Sequence, residues 1–199
     1  MAKKSFLEKY KVLITILIII AVLFGWVISI YNRFVTLDQN VNGKWSEVEN
    51  QYQRQADLIP NLVSTVASAV KVETKFVTDV TNARTQWQTA GNQFDKDKAG
   101  VVMNNGIAAL INAVATAENY PVLQANKNYI ALQDELTGTQ NRIAVARGKY
   151  IESIQLYNTA IKRFPSKVFA GMFGFSEKDY YKAELNAMNT PVLGTGILP

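Results

Sequence analysis

The chain contains neither cysteine nor histidine. Without cysteine it can form no disulfide bond, no thiolate metal site, no cysteine nucleophile and no lipid-modified N-terminal cysteine. Without histidine it lacks the Ser-His and Cys-His catalytic arrangements and the commonest general base at neutral pH. The sequence therefore predicts a protein that is not an enzyme, with no catalytic residue, no metal site and no cofactor.

A concentrated positive patch is also missing. The formal net charge is +5, but the Lys and Arg residues are spread along the chain with Asp and Glu among them. A nucleic-acid-binding protein gathers its basic residues on one face or along one helix, so we expect no nucleic-acid partner. The length of 199 residues allows one domain of ordinary size in addition to a membrane anchor.

A long apolar run lies near the N-terminus. From Val12 to Ile30 the chain has nineteen residues without a charge, and a helix of that length spans about 28 Å, close to the hydrocarbon thickness of a bilayer. No small-x-small pair precedes a polar mature start, which argues against a cleaved signal peptide. We therefore predict a single transmembrane helix at residues 12–31, in contact with membrane lipid.

The charges that flank this run predict its orientation. Four lysines precede it within residues 1–11, whereas only Arg33 and Lys44 follow closely. Positive residues near a membrane span favour the cytoplasmic side. We expect a single-pass protein of the bacterial inner (plasma) membrane, with residues 1–11 in the cytoplasm and the remainder extracytoplasmic.

The rest of the chain follows a helical pattern. Apolar residues recur every three or four positions, which predicts helices at residues 32–57, 60–90, 107–119 and 121–164. Pro60 predicts either a turn or a kink near residues 57–61, because proline lacks an amide hydrogen and clashes with the preceding turn. Residues 91–106, with three glycines and an Asn-Gly pair, are predicted to be one long loop.

The last of these helices carries a seven-residue repeat. Such a repeat drifts against 3.6 residues per turn and predicts left-handed supercoiling with neighbouring helices. The predicted fold is all-α: a single N-terminal transmembrane helix followed by an elongated antiparallel four-helix bundle at residues 32–164. Residues 165–199 then form a Phe/Gly-rich segment and an uncharged tail. The repeat positions are Tyr129, Leu136, Ile143, Tyr150, Tyr157 and Phe164.

Several short strings in the chain resemble one family. They are RQADLIPNLV at residues 54–63, ENYP at 118–121, NRIAVAR at 141–147, and the shorter pairs Phe164-Pro165 and Gly174-Phe175. Together they are similar to the LemA family of bacterial membrane proteins, over the chain from the anchor to about Tyr181. The resemblance implies an N-terminal anchor, a bundle of four long helices, no established enzymatic activity and no known cofactor.

The polar residues within these strings form the first candidate site. An unpaired charge beside an apolar seam is costly, so we expect these residues to pair with one another. The network either fixes the register of the helices or forms a docking site, and the sequence leaves both readings open. The acidic pairs Glu47/Glu49 and Asp134/Glu135 are interpreted as solvated helix faces. The network candidates are Arg54, Asp57, Asn61, Glu118, Arg142, Arg147 and Asn158.

The C-terminal region holds the second set of candidates. Its phenylalanines either fold back on the bundle end or pack on a neighbouring subunit or the membrane surface. We predict a homo-oligomeric scaffolding protein that assembles through its bundle and this region. The alternative is a binding or regulatory module that presents the bundle to another envelope protein. The predicted oligomer contacts are Phe169, Met172, Phe173, Phe175, Val192, Leu193, Ile197 and Leu198.

Overall fold

The computed structural model describes residues 3–69, 74–116, 123 and 125–180, which contain five α-helices and no strand. Their contacts divide the chain into two compact units. The bundle unit is the described part of residues 38–150, and the anchor unit is the described part of residues 1–37 and 151–199. The helices are α1 (Lys3–Ala69), α2 (Thr74–Thr89), α3 (Gln93–Thr116), α4 (Lys127–Lys162) and α5 (Ser166–Phe173).

In the bundle unit, side-chain contacts fix the directions of four helices. Arg54 of α1 pairs with Glu135 of α4, and Trp45 further back on α1 contacts Tyr150 further along α4, so these two helices are antiparallel. The contacts that relate α1 to α2 and α3 show that α2 is antiparallel to α1 and that α3 is parallel to it. They are Tyr52 with Trp87, Ala56 with Arg84, Glu49 with Lys96, and Tyr52 with Gly100. The unit is an up-down-up-down four-helix bundle, and the predicted all-α antiparallel bundle is confirmed.

The core of the bundle unit follows the predicted apolar stripes. Val41, Trp45, Val48, Tyr52 and Ile59 of α1 are all buried. Their spacing of three, four and seven residues places them on one face of the helix. The other helices bury Val80, Ala83, Trp87, Met103, Ile107, Leu110, Val114, Tyr129, Leu136 and Ile143 against it.

The predicted loop at residues 91–106 is wrong, because α3 begins at Gln93. Asn92 caps this helix: its Oδ1 accepts a hydrogen bond from the backbone N–H of Asp95 at 2.9 Å. Gly100 lies inside α3, where its missing Cβ leaves room for the ring of Tyr52. The glycines that were interpreted as loop residues include one that lets two helices approach closely.

A turn, one of the two alternatives predicted at residues 57–61, is also wrong, because α1 continues through Pro60 to Ala69, whereas the other alternative, a kink, stays a prediction. Pro60 is exposed, whereas Ile59 and Leu62 on either side of it are buried. The continuous apolar face therefore maintains the helix where proline alone predicts a break. The division of the chain at residues 11, 31 and 164 stays a prediction.

The seven-residue repeat of α4 is buried along most of its length, in both units. Tyr129, Leu136, Ile143 and Tyr157 are at most 3% exposed. Phe164 lies beyond the end of α4 and is 86% exposed, so its assignment to the seam is wrong. The repeat ends with α4 because the chain turns between Lys162 and Ser166.

The anchor unit contains the apolar part of α1, the end of α4, and α5. Within the described residues, α1 is the helix that is long and apolar enough to cross a membrane. Apart from the half-buried Val27, the large apolar side chains from Val12 to Ile28 are exposed, as expected of a surface that contacts lipid. Gly174 caps the C-terminus of α5 and has a left-handed backbone, with a φ of 76°. The N–H of Phe175 then donates a hydrogen bond to the carbonyl oxygen of Ala170 at 2.9 Å.

Candidate functional site

A groove of about 430 Å³ runs between α1 and α4 in the bundle unit. We call it the α1/α4 groove. Its floor includes the nearly buried Ala146, and beside it Val145 is 60% exposed. Small and polar side chains on the facing turns leave this space open. Its lining residues are Glu47, Asn50, Gln51, Asn141, Arg142, Val145, Ala146 and Lys149.

The groove carries charges of both signs. On α1, the hydrogen bond from Lys44 to Glu47 at 2.5 Å lowers the pKa of that carboxyl, and the positive charge of Lys149 adds to this effect. On α4, Arg142 and Lys149 contribute positive charge. Gln51 also lines the groove, and its side-chain oxygen Oε1 is buried and accepts no hydrogen bond. These groups suit recognition of a polar or charged surface.

Two arginines of the predicted network meet at Glu135. Arg54 donates from Nε to Oε1 of Glu135 at 2.9 Å, and Arg142 places Nη1 3.6 Å from the same oxygen. All three side chains are partly exposed, so the cluster adds little stability on its own. Glu135 had been interpreted as part of a solvated acidic pair, and it is the residue that joins the two arginines.

A third arginine of the predicted network pairs elsewhere in the bundle unit. Arg147 donates from Nη2 to Oδ2 of Asp97 on α3 at 3.1 Å. The side chains of Asp97 and Arg147 are 9% and 19% exposed. Burial raises the pKa of Asp97, and the charge and hydrogen bond of Arg147 counteract that rise only in part. Burial and the charge of Asp97 also raise the pKa of Tyr150.

Asp97 was missed because it lies in the segment predicted to be a loop. The signal that identifies it is periodic: Asp97, Gly100, Met103 and Ile107 are buried and stand three or four residues apart. The same spacing, applied to the whole segment, predicts one helical face and places Asp97 on it.

The other predicted network residues lie apart from these pairs. Asp57 accepts a hydrogen bond from Gln53 on its own helix at 2.8 Å. Asn61 is exposed on α1, and Glu118 lies outside the described residues. The structure therefore brings Arg54 and Arg142 together at Glu135, whereas a joint role for all seven residues stays a prediction.

Asn158, the last of the seven, lies in the anchor unit. Its side-chain amide donates to the carbonyl oxygen of Lys178 at 2.8 Å and accepts from the backbone N–H of Lys178 at 2.9 Å. The hydroxyl of the preceding residue, Tyr157, donates to the carbonyl oxygen of Ser176 at 3.0 Å. Both side chains therefore fasten the chain that follows α5 to the end of α4.

The predicted oligomer contacts that the structure describes lie in or beside α5, and three of their rings pack on α1 of the same chain. The ring centroids of Phe169 and Trp26 are 5.7 Å apart, those of Phe173 and Tyr31 are 5.2 Å apart, and those of Phe175 and Phe34 are 5.2 Å apart. Met172 is 73% exposed. The remaining candidates, Val192, Leu193, Ile197 and Leu198, lie outside the described residues.

Among the residues that the structure describes, no three acidic side chains are grouped closely enough to hold a metal ion. The described residues form three polar features: the α1/α4 groove, the surface cluster of Arg54 and Arg142 with Glu135, and the buried ion pair of Asp97 and Arg147. Their chemistry is hydrogen bonding and ion pairing between surfaces.

Comparisons with known proteins identify the same family that the short sequence strings resemble. The chain is 25% identical to magnetosome proteins MamQ 1 and MamQ 2 of Paramagnetospirillum magneticum, over 82% of this chain and 68% of each relative. It is 27% identical to magnetosome protein MamQ of Magnetospirillum gryphiswaldense, with the same coverage. The model of the LemA family matches residues 44–193. Because that match covers more than half of the sequence, the chain belongs to the LemA family.

Proposed function

We propose that this chain is a non-enzymatic structural protein, anchored in a membrane by the apolar part of α1, that self-assembles through the α1/α4 groove and organises partners at the membrane surface. The observation that carries the proposal is the make-up of the groove. It has an exposed apolar residue, Val145, between charges of opposite sign that stand on two different helices.

This distribution of charge is complementary to itself. In a twofold contact between two copies, each copy presents the same patch, and a residue on α1 of one copy faces α4 of the other. Glu47 of one copy then meets Lys149 or Arg142 of the second. Val145 and its symmetry mate are covered by the same contact, which removes their apolar surface from water.

Anchoring in a membrane strengthens such a contact. Stable protein interfaces bury about 1,200–2,000 Å² of surface. The eight residues that line the groove cannot bury that much surface, so the groove gives a weak interface by itself. Chains confined to one membrane meet at a high effective concentration, and several weak contacts then act together. Membership of the LemA family and the likeness to magnetosome proteins support a membrane-associated, non-enzymatic role.

The test is the association of the full chain in reconstituted lipid vesicles, measured by chemical crosslinking for the unmodified protein and two variants. Val145→Glu places a charge at the centre of the groove and is expected to reduce the crosslinked particle to the monomer. Val102→Glu on α3 is the matched control, because Val102 is also exposed, at 43%, but lies away from the groove. An unmodified protein that is already monomeric, or a Val145→Glu variant that keeps the full size, overturns the proposal.

Charge exchange tests the predicted pairing directly. Lys149→Glu is expected to weaken assembly, because it brings Glu47 of one copy against a second carboxylate. Lys149 also lowers the pKa of Glu47 within one chain, so the restoring change is placed on a second copy: mixing these chains with Glu47→Lys chains gives opposite charges at both contacts between copies and is expected to restore the particle. Failure of the mixture to recover, while circular dichroism still reports helical proteins, would show that these two residues do not face each other.

A second candidate function uses the same groove. Its charges of both signs also suit the surface of a different protein, as in a regulatory module that binds another envelope protein. A photo-crosslinker attached at Val145→Cys distinguishes the two functions in intact membranes. Self-assembly predicts a crosslinked product of two copies of this chain, whereas a module predicts one product of different composition. The same reagent at Val102→Cys is the control.

A further inference from the structure

One face of α5 and of the turn before it is left uncovered in the anchor unit. Phe164 is 86% exposed, Val168 54% and Met172 73%. The three residues are four positions apart, and in α5 that spacing puts Val168 and Met172 on one side of the helix. We call Phe164, Val168 and Met172 the α5 apolar strip.

The other side of α5 packs along α1. Phe169 contacts Trp26, Phe173 contacts Tyr31, and Phe175, just beyond the helix, contacts Phe34. Positions increase together along the two segments, so α5 runs parallel to this part of α1. These contacts place α5 beside the last turns of the apolar run that extends from Val12 to Ile30.

That location is the boundary between hydrocarbon and headgroups if the apolar run crosses a membrane. Trp and Tyr side chains are typical of this boundary, because they combine a large apolar ring with a polar group. Trp26 and Tyr31 are the residues on which α5 packs.

We propose that α5 is a membrane-interface helix: the α5 apolar strip inserts between lipids of the leaflet at the Ile30 end of the apolar run. The inference rests on the proposed membrane anchor. It names a bilayer as the partner because the strip continues an apolar surface, the exposed side of α1 from Val12 to Ile28, that already requires lipid. It also explains why Phe164 and Met172 remain uncovered although Phe169 and Phe173 find intrachain partners.

The absence of cysteine provides a direct test, since one introduced cysteine carries the only spin label. The full chain is reconstituted into vesicles of phosphatidylcholine and phosphatidylglycerol, and collisions of the label with oxygen and with a water-soluble nickel chelate are measured. Labels at Met172→Cys and Val168→Cys are expected to collide several times less with the chelate than a label at Leu156→Cys. Leu156 is the matched control, because it is apolar, 52% exposed and in α4 of the same unit.

A label at Leu17→Cys, within the apolar run, separates the two proposals. Protection of Leu17 together with equal chelate collisions at Met172 and Leu156 overturns the interface helix and leaves the anchor in place. Chelate access at Leu17 as well would mean that the anchor itself fails. If the strip binds a second copy of this chain instead, spectra at Met172 are broadened and become sharper on dilution with unlabelled chain, which also overturns the proposal.

Discussion

Asp97 shows how burial decides the behaviour of a single charge. Its pKa is raised mainly because the folded chain removes the carboxyl from water, and Arg147 at 3.1 Å offsets only part of that effect. The carboxyl of the unfolded chain has a pKa of 3.8. The folded form therefore binds the proton more tightly than the unfolded form, and linkage makes stability depend on pH through this group.

The sign of that dependence gives a prediction. The contribution of Asp97 to the free energy of unfolding is complete below pH 3.8. It is lost as the pH rises through the raised pKa that this carboxyl has in the folded chain. Urea unfolding from pH 4 to 7 should show a downward slope in the unmodified protein relative to Asp97→Asn, which cannot titrate at this position. Other carboxyls contribute equally to both proteins, so the difference isolates Asp97. Parallel curves would show that its pKa is not raised.

Gly100 is a second position where one atom decides the packing. A Cβ placed there would lie 2.5 Å from Cζ of Tyr52, whose ring is fully buried. Gly100→Ala is expected to destabilise the protein by about 1–3 kcal/mol, as overpacking does in a well-filled core. Gly148→Ala, in α4 with no atom within 4 Å of its Cβ, should instead stabilise by about 0.5–1 kcal/mol. Thermal unfolding of the two variants measures both, and equal shifts would contradict the close contact.

At the scale of elements, the sequence predicts those helices whose apolar period is uninterrupted. The buried stripe of α1 from Val41 to Ile59 and the repeat of α4 from Tyr129 to Tyr157 were predicted correctly, because the residues at their three-, four- and seven-residue spacings are apolar or aromatic. The N-terminal part of α3 was missed. Its buried face includes Asp97 and Gly100, so it has no apolar stripe until Met103.

The candidate site could be predicted only in part, for a related reason. Arg54, Arg142 and Arg147 were identified as charges that need partners. Which acid each one meets depends on how α1, α3 and α4 align: Glu135 is 81 residues from Arg54, and Asp97 is 50 residues from Arg147. The α1/α4 groove likewise arises from the spacing of two helices, and no property of either helix alone predicts it.

The repeat in α4 allows a direct test of the helical phase. Ile143 is 1% exposed, whereas Ile130 on the same helix is 43% exposed. Ile143→Ala leaves a cavity and should lower the free energy of unfolding by about 2–5 kcal/mol, and Ile130→Ala should lower it by less than about 1 kcal/mol. Chemical denaturation monitored by circular dichroism compares the two. Similar losses would mean that α4 presents a different face to the core.

At the scale of the whole molecule, one continuous helix, α1, belongs to both units. Its first half carries the apolar run, and its second half supplies one wall of the α1/α4 groove. The position of the chain in a membrane therefore determines which compartment the groove faces. Residues 190–199, predicted from sequence to contribute to assembly, lie outside the described residues, and their role stays a prediction.

Orientation follows from the flanking charges and gives the last prediction. Four lysines precede the apolar run and only Arg33 and Lys44 follow closely, so the N-terminus is expected in the cytoplasm and the bundle unit outside it. In intact spheroplasts a membrane-impermeant maleimide should label Ile130→Cys, an exposed position of α4, and should leave Ser5→Cys unlabelled until the cells are lysed. The opposite pattern would reverse the topology while retaining the anchor. Replacing the four lysines by glutamine removes the charge bias, and the share of chains with Ile130→Cys accessible should then fall because the excess of positive charge on the N-terminal side is lost.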